Sequence, residues 1–109
     1  MQFRAPEEYA YEEETEKVDV YSLGNVFYGL LQGEWPFENE IKKSADAQAL
    51  IMDGKRPAIK PELLNSTDPY IIALTKATQS CWIHDPVKRA SSKQIRDFLA
   101  DSLAKQGIK

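Results

Sequence analysis

The 109-residue sequence predicts an all-α fold with about four main helices and long loops. No segment alternates convincingly between apolar and polar residues, as a half-buried strand would. Several stretches instead space their apolar residues as a helix does, between residues that start or stop helices. No internal repeat and no Ser/Gly-rich linker divides the chain, so we expect one domain over residues 1–109.

Residues 18–31 predict a central core helix. Apolar side chains occur nearly all the way round this segment, which is typical of a helix buried on most sides. Asp19 can cap its amino end, Gly33 lies where a left-handed residue ends a helix, and Pro36 prevents continuation. The two aromatic residues of Trp35-Pro36-Phe37 are then expected to close the end of the core.

A shorter helix and an extended connection follow the central helix. The helix is predicted from Ser44 or Ala45 to Asp53, because its apolar residues share one face and Gly54 can end it. Residues 55–66 contain two prolines and predict an extended connection.

The last two helices have sharply marked starts. Asp68 is predicted to cap the first of them, with Pro69 at its first position and Asp85-Pro86 in the turn that follows. Ser91-x-x-Gln94 predicts a capping box for the final helix. The core face of that helix is predicted from its helically spaced apolar residues, which are Ile95, Phe98, Leu99 and Leu103.

Composition argues against several classes of function. A net charge of −3 and a pI near 5.2 give no basis for binding nucleic acid or an anionic membrane. The single Cys81 rules out an internal disulfide, and together with the single His84 it is too little for a four-ligand structural zinc site. No segment approaches the roughly 18 uninterrupted apolar residues of a membrane span. We therefore expect no membrane span and an intracellular, cytoplasmic protein.

An acidic stretch over residues 7–16 carries six glutamates together with Tyr9 and Tyr11. We interpret it as a solvated loop, because charge runs are usually solvent-facing. An acidic patch that steers a substrate is the alternative, and nothing else in the sequence supports it.

Motifs in a fixed order carry a family resemblance. They are Arg4-Ala5-Pro6-Glu7-Glu8-Tyr9, Asp19-Val20-Tyr21-Ser22-Leu23-Gly24, Gly33-Glu34-Trp35-Pro36-Phe37, Gly54-Lys55-Arg56-Pro57 and Cys81-Trp82-Ile83-His84-Asp85-Pro86-Val87-Lys88-Arg89. The first is similar to the A-P-E element that closes a kinase activation segment. Each motif is weak alone, but the ordered set resembles the C-terminal part of the large lobe of a eukaryotic-type protein kinase domain.

The resemblance implies roles for five residues. Glu7 and Arg89 correspond to a buried ion pair that ties the activation segment to the helical base. Asp19 corresponds to an aspartate that accepts hydrogen bonds from the backbone of the catalytic loop, although an ordinary helix cap would explain it as well. Val26 and Leu30 match the apolar positions that support the stack of side chains beneath the adenine.

The elements that perform phosphoryl transfer are not found in this sequence. Such chemistry requires a glycine-rich loop, a strand lysine, an H-R-D loop and a D-F-G aspartate. Asp97-Phe98-Leu99 imitates D-F-G but falls within the last helix, and Ala58-Ile59-Lys60 imitates the lysine motif but follows A-P-E. We therefore assign no catalytic, cofactor-binding or metal-binding residue to this chain. ATP and Mg²⁺ are expected in a full-length parent that supplies the N-terminal lobe and catalytic loop.

Two functional hypotheses follow. The chain is part of a kinase that transfers the γ-phosphoryl group of ATP to a protein substrate, with Ser/Thr favoured over Tyr, and by itself it is inactive. Alternatively, it is a kinase-derived helical scaffold or pseudokinase-type binding module.

Gly29 stands where many family members carry an acidic residue, which argues against a preference for basic peptides. A glycine within a helix costs about 1 kcal/mol relative to alanine, so we expect a crowded neighbour at Gly29.

Overall fold

Six helices make up most of the part of the chain that the computed structural model describes, which is residues 4–10, 15–34, 36–37 and 44–106. They are α1 (Pro6–Tyr9), α2 (Lys17–Gln32), α3 (Ser44–Met52), α4 (Pro61–Leu64), α5 (Pro69–Cys81) and α6 (Ser92–Lys105). No strand occurs in these described ranges, so the all-α prediction is confirmed. Helix α5 packs against α2, α4 and α6, and α1 packs against α3. None of the described helices is both long enough and apolar enough to cross a bilayer.

Helix α2 begins earlier than the sequence predicts. It starts at Lys17, whose backbone N–H donates to the Thr15 hydroxyl at 3.2 Å. Asp19 therefore lies within the first turn and is not the capping residue, which corrects the prediction. The carboxyl end is as predicted, because Gly33 is left-handed with φ of 70° and its N–H donates to the Gly29 carbonyl at 2.8 Å.

The interior consists of two clusters, and α2 contributes to both. The larger contains Ala5, Tyr21, Tyr28, Phe37, Ala47, Ile51 and Trp82, and the smaller contains Val20, Ala77, Cys81 and Ile95. In the larger cluster the rings of Tyr28 and Trp82 lie 5.5 Å apart. Phe37 is buried as expected for the loop after α2, whereas Trp35 lies outside the described residues. Helix α2 thus contributes buried side chains to both clusters, whereas α5 is the helix that packs against three other described helices.

The capping signals of the last two long helices are confirmed. The Asp68 carboxylate accepts from the N–H of Tyr70 at 2.9 Å, and Pro69 is the first residue of α5. The Ser91 hydroxyl accepts from the N–H of Gln94 at 3.1 Å, and the Gln94 side chain accepts from the N–H of Ser91 at 2.8 Å. These two donors would otherwise lack partners at the start of α6.

Three local predictions need correction. The connection over 55–66 contains the short helix α4. Its first residue is Pro61, and proline is favoured at the first position of a helix. The stretch over 7–16 is not wholly a solvated loop, because Glu7 lies in α1 and is 3% exposed; residues 11–14 lie outside the described ranges. Phe98 is 38% exposed and so is not core, since α6 is covered by α5 along a narrow strip that buries Ile95.

A close approach between α2 and the end of α5 depends on Gly24. A Cβ atom added there would lie 2.8 Å from the Cys81 Cβ and equally close to the Trp82 ring. Gly29 is different, because among the described residues the nearest neighbour of an added Cβ would be a backbone oxygen at 4.0 Å. Within the described residues the crowded glycine of α2 is therefore Gly24 and not, as expected, Gly29.

We expect Gly24→Ala to lower the free energy of unfolding by about 1–3 kcal/mol, the usual cost of overpacking a well-packed interior. Gly29→Ala is the matched control, because the added methyl group meets ordinary space and alanine favours the helix by up to about 1 kcal/mol. Urea unfolding followed by circular dichroism measures both values. Equal stabilities for the two variants would show that the α2–α5 contact is not as close as described.

Candidate functional site

Arg89 joins three parts of the chain through its guanidinium group. Two N–H groups donate to the Glu7 carboxylate, with Nη1–Oε2 of 2.7 Å and Nη2–Oε1 of 3.0 Å. The remaining donors reach the backbone carbonyls of Lys17 at 2.8 Å, Ile83 at 2.8 Å and His84 at 3.1 Å. Because a guanidinium carries five N–H donors, every donor of Arg89 is used. We call Glu7, Lys17, Arg89 and the carbonyls of Ile83 and His84 the Arg89 junction.

The ion pair of the Arg89 junction is buried. The side chains of Arg89 and Glu7 are 0% and 2% exposed. Burial by itself raises the pKa of Glu7, but the hydrogen bonds and charge of Arg89 outweigh it and hold that pKa below its ordinary value. Glu7 therefore stays ionised, and the parallel two-bond geometry suits the planar guanidinium.

Lys17 and Arg89 are joined by hydrogen bonds in both directions. While the Lys17 carbonyl accepts from Arg89 Nη1, the Lys17 Nζ donates to the Arg89 carbonyl at 2.6 Å and to the Pro86 carbonyl at 3.1 Å. The turn that carries Arg89 is also fixed internally, because the Asp85 side chain accepts from the N–H of Val87 at 2.9 Å. The start of α2 is thus fastened to the turn between α5 and α6.

Tyr21 extends the junction towards residues 55–57. Its ring is in cation–π contact with two guanidinium groups, with centroid distances of 5.0 Å to Arg89 and 5.1 Å to Arg56. Burial raises the pKa of Tyr21 to about 12, although both arginines lower it, so the phenol stays neutral. Arg56 is held in turn by its Nε, which donates to the Trp82 carbonyl at 2.8 Å.

Asp19, Val26 and Leu30 lie together on another face of α2. At 3.6 residues per turn their side chains point within about 40° of one another, and Tyr21 points roughly the opposite way. Asp19 is exposed, and Val26 and Leu30 are 58% and 71% exposed. Among the described residues none hydrogen-bonds to the Asp19 carboxylate. We call these three residues the open stripe. Because this side of α2 is exposed, the expectation that the helix is buried on most sides was wrong here.

The structure therefore sorts the five sequence-predicted residues into two groups. Glu7 and Arg89 are in contact, and the open stripe lies on the face of α2 that points away from them. Sequence reasoning missed Lys17, Tyr21 and Arg56 as parts of the site. Arg56 and Tyr21 each had a signal in a family motif, Gly54-Lys55-Arg56-Pro57 and Asp19-Val20-Tyr21-Ser22-Leu23-Gly24, whereas Lys17 had none.

The Arg89 junction is suited to holding structure rather than to chemistry, because its donors are saturated and its carboxylate is paired. Across the described ranges, no three His, Cys, Asp or Glu side chains come close enough together to hold a metal ion. At the junction itself every N–H donor of Arg89 is already used, so this guanidinium has none left for a phosphate group.

Comparisons with known proteins agree on one family. The model of the family described as "Protein kinase domain" matches residues 1–100. The chain is 36% identical over 101 residues to "Leucine-rich repeat serine/threonine-protein kinase 1" of Caenorhabditis elegans, and 38% identical over 80 residues to "Dual specificity protein kinase pyk3" of Dictyostelium discoideum. These matches cover 90% and 73% of the chain but 4% and 5% of the relatives. The chain thus spans a small part of the proteins it resembles.

Breaking the buried pair should destabilise the fold strongly. We expect Glu7→Ala or Arg89→Ala to lower the free energy of unfolding by about 3–5 kcal/mol, because each leaves an unpaired buried charge. Asp97→Ala is the control: it removes an ion pair with Arg96 whose side chains are 59% and 71% exposed, and should cost at most about 1 kcal/mol. Thermal melts of the four proteins make the comparison, and equal melting temperatures for parent and Glu7→Ala would contradict the role of the pair.

The same pair should make stability depend on acid. The folded-state pKa of Glu7 lies below its ordinary value of 4.5, so the pair's contribution is present above that pH and is lost as the pH falls through the folded-state pKa. We expect Glu7→Gln to reduce the slope of unfolding free energy against pH in this acidic interval, by at most about 1.4 kcal/mol per pH unit. Glu62→Gln, at an exposed position, should leave the slope unchanged. Urea titrations at a series of pH values measure the slope, and identical slopes in parent and Glu7→Gln would refute the assignment.

Proposed function

Because the chain belongs to the protein kinase family, we propose that it forms the helical base of a kinase large lobe, in a protein that transfers the γ-phosphoryl group of ATP to serine or threonine side chains of a protein substrate. In this proposal the chain positions the catalytic parts and is not catalytic by itself. The choice of acceptor is supported by relatives named as serine/threonine and dual-specificity kinases.

The observation that carries the proposal is the open stripe. Two large apolar side chains, Val26 and Leu30, are exposed on a helix whose opposite face is core. Burying a side chain of this kind contributes about 1.5–3 kcal/mol, so a covering layer is favoured there. The proposed cover is the apolar stack that lies beneath the adenine of bound ATP in the full-length kinase.

Asp19 adds a polar anchor to the same stripe. Its carboxylate is exposed on the side of α2 that faces away from the packed core. It can accept hydrogen bonds from backbone N–H groups of a segment that packs against the start of α2. We propose that the catalytic loop supplies those N–H groups. The loop would then be held at one end of the stripe and the apolar stack at the other.

The Arg89 junction supports the part of the proposal that concerns the protein substrate. Glu7 lies in α1, directly after Ala5 and Pro6 of the A-P-E element, and Arg89 ties it to the turn between α5 and α6. A fixed A-P-E element gives the activation segment a fixed end. We propose that the junction in this way holds the surface on which a protein substrate would lie.

A second candidate is a kinase-derived scaffold or pseudokinase-type module. The open stripe is also the observation that favours it, because exposed Val26 and Leu30 could bind a helix of another protein instead of kinase elements. The two candidates differ in what is encoded next to this chain. A kinase requires H-R-D and D-F-G elements upstream of Arg4, and a stand-alone module does not.

The test is to determine the complete transcript and assay the protein it encodes. We expect an open frame with H-R-D and D-F-G upstream, and transfer of label from γ-³²P-ATP to a serine/threonine peptide library. Asp19→Asn in that protein should lower kcat at least about tenfold, in the range ascribed to a lost positioning contact. Its melting temperature should fall far less than that of Glu7→Ala, because the amide oxygen of asparagine can still accept a hydrogen bond from a backbone N–H.

Asp97→Asn is the matched control, since it makes the same chemical change at an exposed position of α6. An in-frame stop codon directly upstream of the chain would contradict the kinase proposal and favour the scaffold. So would a complete protein that carries both motifs but transfers no label.

A further inference from the structure

A concave surface lies next to the Arg89 junction and shares Ile83 with it. It is a cleft of about 420 Å³ between residues 56–59, α4 and the end of α5. We call it the Arg56 groove; its walls are formed by Arg56, Pro57, Ile59, Leu64, Trp82 and Ile83. Apart from Arg56 these side chains present mainly apolar surface, and two of them, Leu64 and Ile83, are 53% and 39% exposed. The volume is within the range of small-ligand and peptide pockets, about 300–1,000 Å³.

Among the described residues Arg56 is a half-buried cation without an anionic partner. Its Nε donates to the Trp82 carbonyl at 2.8 Å and its Nη1 to the Lys55 carbonyl at 2.6 Å, and no carboxylate in the described residues lies within ion-pair distance of it. Of the five N–H donors of a guanidinium, three therefore have no acceptor in the described part of the chain. Burial lowers the pKa of Arg56, as expected where a charge is desolvated and not neutralised.

The contrast with Arg89 shows what Arg56 lacks. Both guanidinium groups lie against the ring of Tyr21. The Cζ atom is 5.0 Å from the ring centroid for Arg89 and 5.1 Å for Arg56. Arg89 has the Glu7 carboxylate, which neutralises its charge in the buried site. In the described part of the chain Arg56 faces a groove and no carboxylate, and the guanidinium fork is the group best suited to bind a carboxylate.

The cation of the groove is Arg56 itself, which lines the cleft. Lys55 and Lys60 flank it in the sequence and are exposed, whereas α4, which forms one wall, also carries the exposed acidic Glu62. The preference for an anionic ligand therefore comes from the guanidinium of Arg56.

We propose that the Arg56 groove binds a short peptide segment of a partner protein in which an Asp or Glu stands next to a large apolar residue. The carboxylate takes the unused N–H donors of Arg56, and the apolar side chain lies against Ile59, Leu64 and Ile83. Gln79, which also lines the cleft, offers an amide to the peptide backbone. This inference does not rest on the proposed kinase activity, because the groove is made entirely of described residues and needs no nucleotide.

The test is selection of peptides on the purified 109-residue chain from a display library of random seven-residue sequences. The enriched sequences are synthesised with a fluorescein label, and their affinities are measured by fluorescence anisotropy. We expect an Asp or Glu within two positions of a large apolar residue. Changing that acidic residue to its amide should weaken binding at least about tenfold, as for loss of a charge-assisted hydrogen-bonded pair.

Two variants of the chain locate the binding site. Arg56→Gln removes the cation, and Leu64→Asp places a competing carboxylate at the rim; each should weaken binding at least about tenfold. Leu64 is mostly exposed on α4, so its variant reports on binding even if Arg56→Gln proves unstable. Leu103→Asp makes the same change on exposed α6, outside the groove, and should leave the affinity unchanged.

Three results would overturn the proposal. The library could yield no sequence enriched over the empty support, or enriched sequences without an acidic residue beside an apolar one. Binding that survives Leu64→Asp would equally place the peptide elsewhere. None of these results bears on phosphoryl transfer, so failure of this proposal and failure of the proposed function remain distinguishable.

Discussion

The buried guanidinium of Arg89 is the group on which the described structure most depends. Removing a charge from water costs several kcal/mol, and this cost is offset only when every donor has a partner of good geometry. Arg89 meets that condition with one carboxylate and three backbone carbonyls. Because these acceptors come from α1, the start of α2 and the turn after α5, all three segments must be in place together. The junction therefore fixes how distant parts of the chain meet.

Helix α2 connects this junction to the proposed function. Its core face carries Tyr21 and Tyr28, while the opposite face leaves Val26 and Leu30 exposed. A helix that is apolar nearly all round but covered on one side is typical of an element between two layers. The first layer is made by α5, and the proposed kinase architecture supplies the second. The close contact at Gly24 sets how near α5 can approach.

Much of the fold could be predicted because its signals are local. The left-handed Gly33, the Asp68 cap and the Ser91–Gln94 capping box depend on neighbouring residues alone. Local reasoning failed at the start of α2, which begins at Lys17 with Glu16 at the capping position, so that Asp19 lies inside the first turn. It also failed where the answer depended on a distant neighbour, since nothing near Gly24 in the sequence reveals the ring of Trp82.

The site was less predictable for the same reason. Glu7 and Arg89 are 82 positions apart, and the pairing could be anticipated only through the family resemblance. The second arginine beside Tyr21 and the reciprocal hydrogen bonds of Lys17 depend on how the segments pack, which the spacing of residues does not encode. The exposure of Phe98 likewise follows from how few helices cover α6, a property of the assembled fold.

The carbonyl acceptors of Arg89 have an evolutionary consequence. Ile83 and His84 contribute only main-chain oxygens to the junction, and their own side chains are exposed. Every amino acid has such an oxygen, so these two positions can change identity over time without loss of the guanidinium's partners. Selection on the junction therefore falls on the side chains of Glu7 and Arg89 and on the path of the backbone. Position 83, which lines the Arg56 groove, remains available to adapt to whatever binds there.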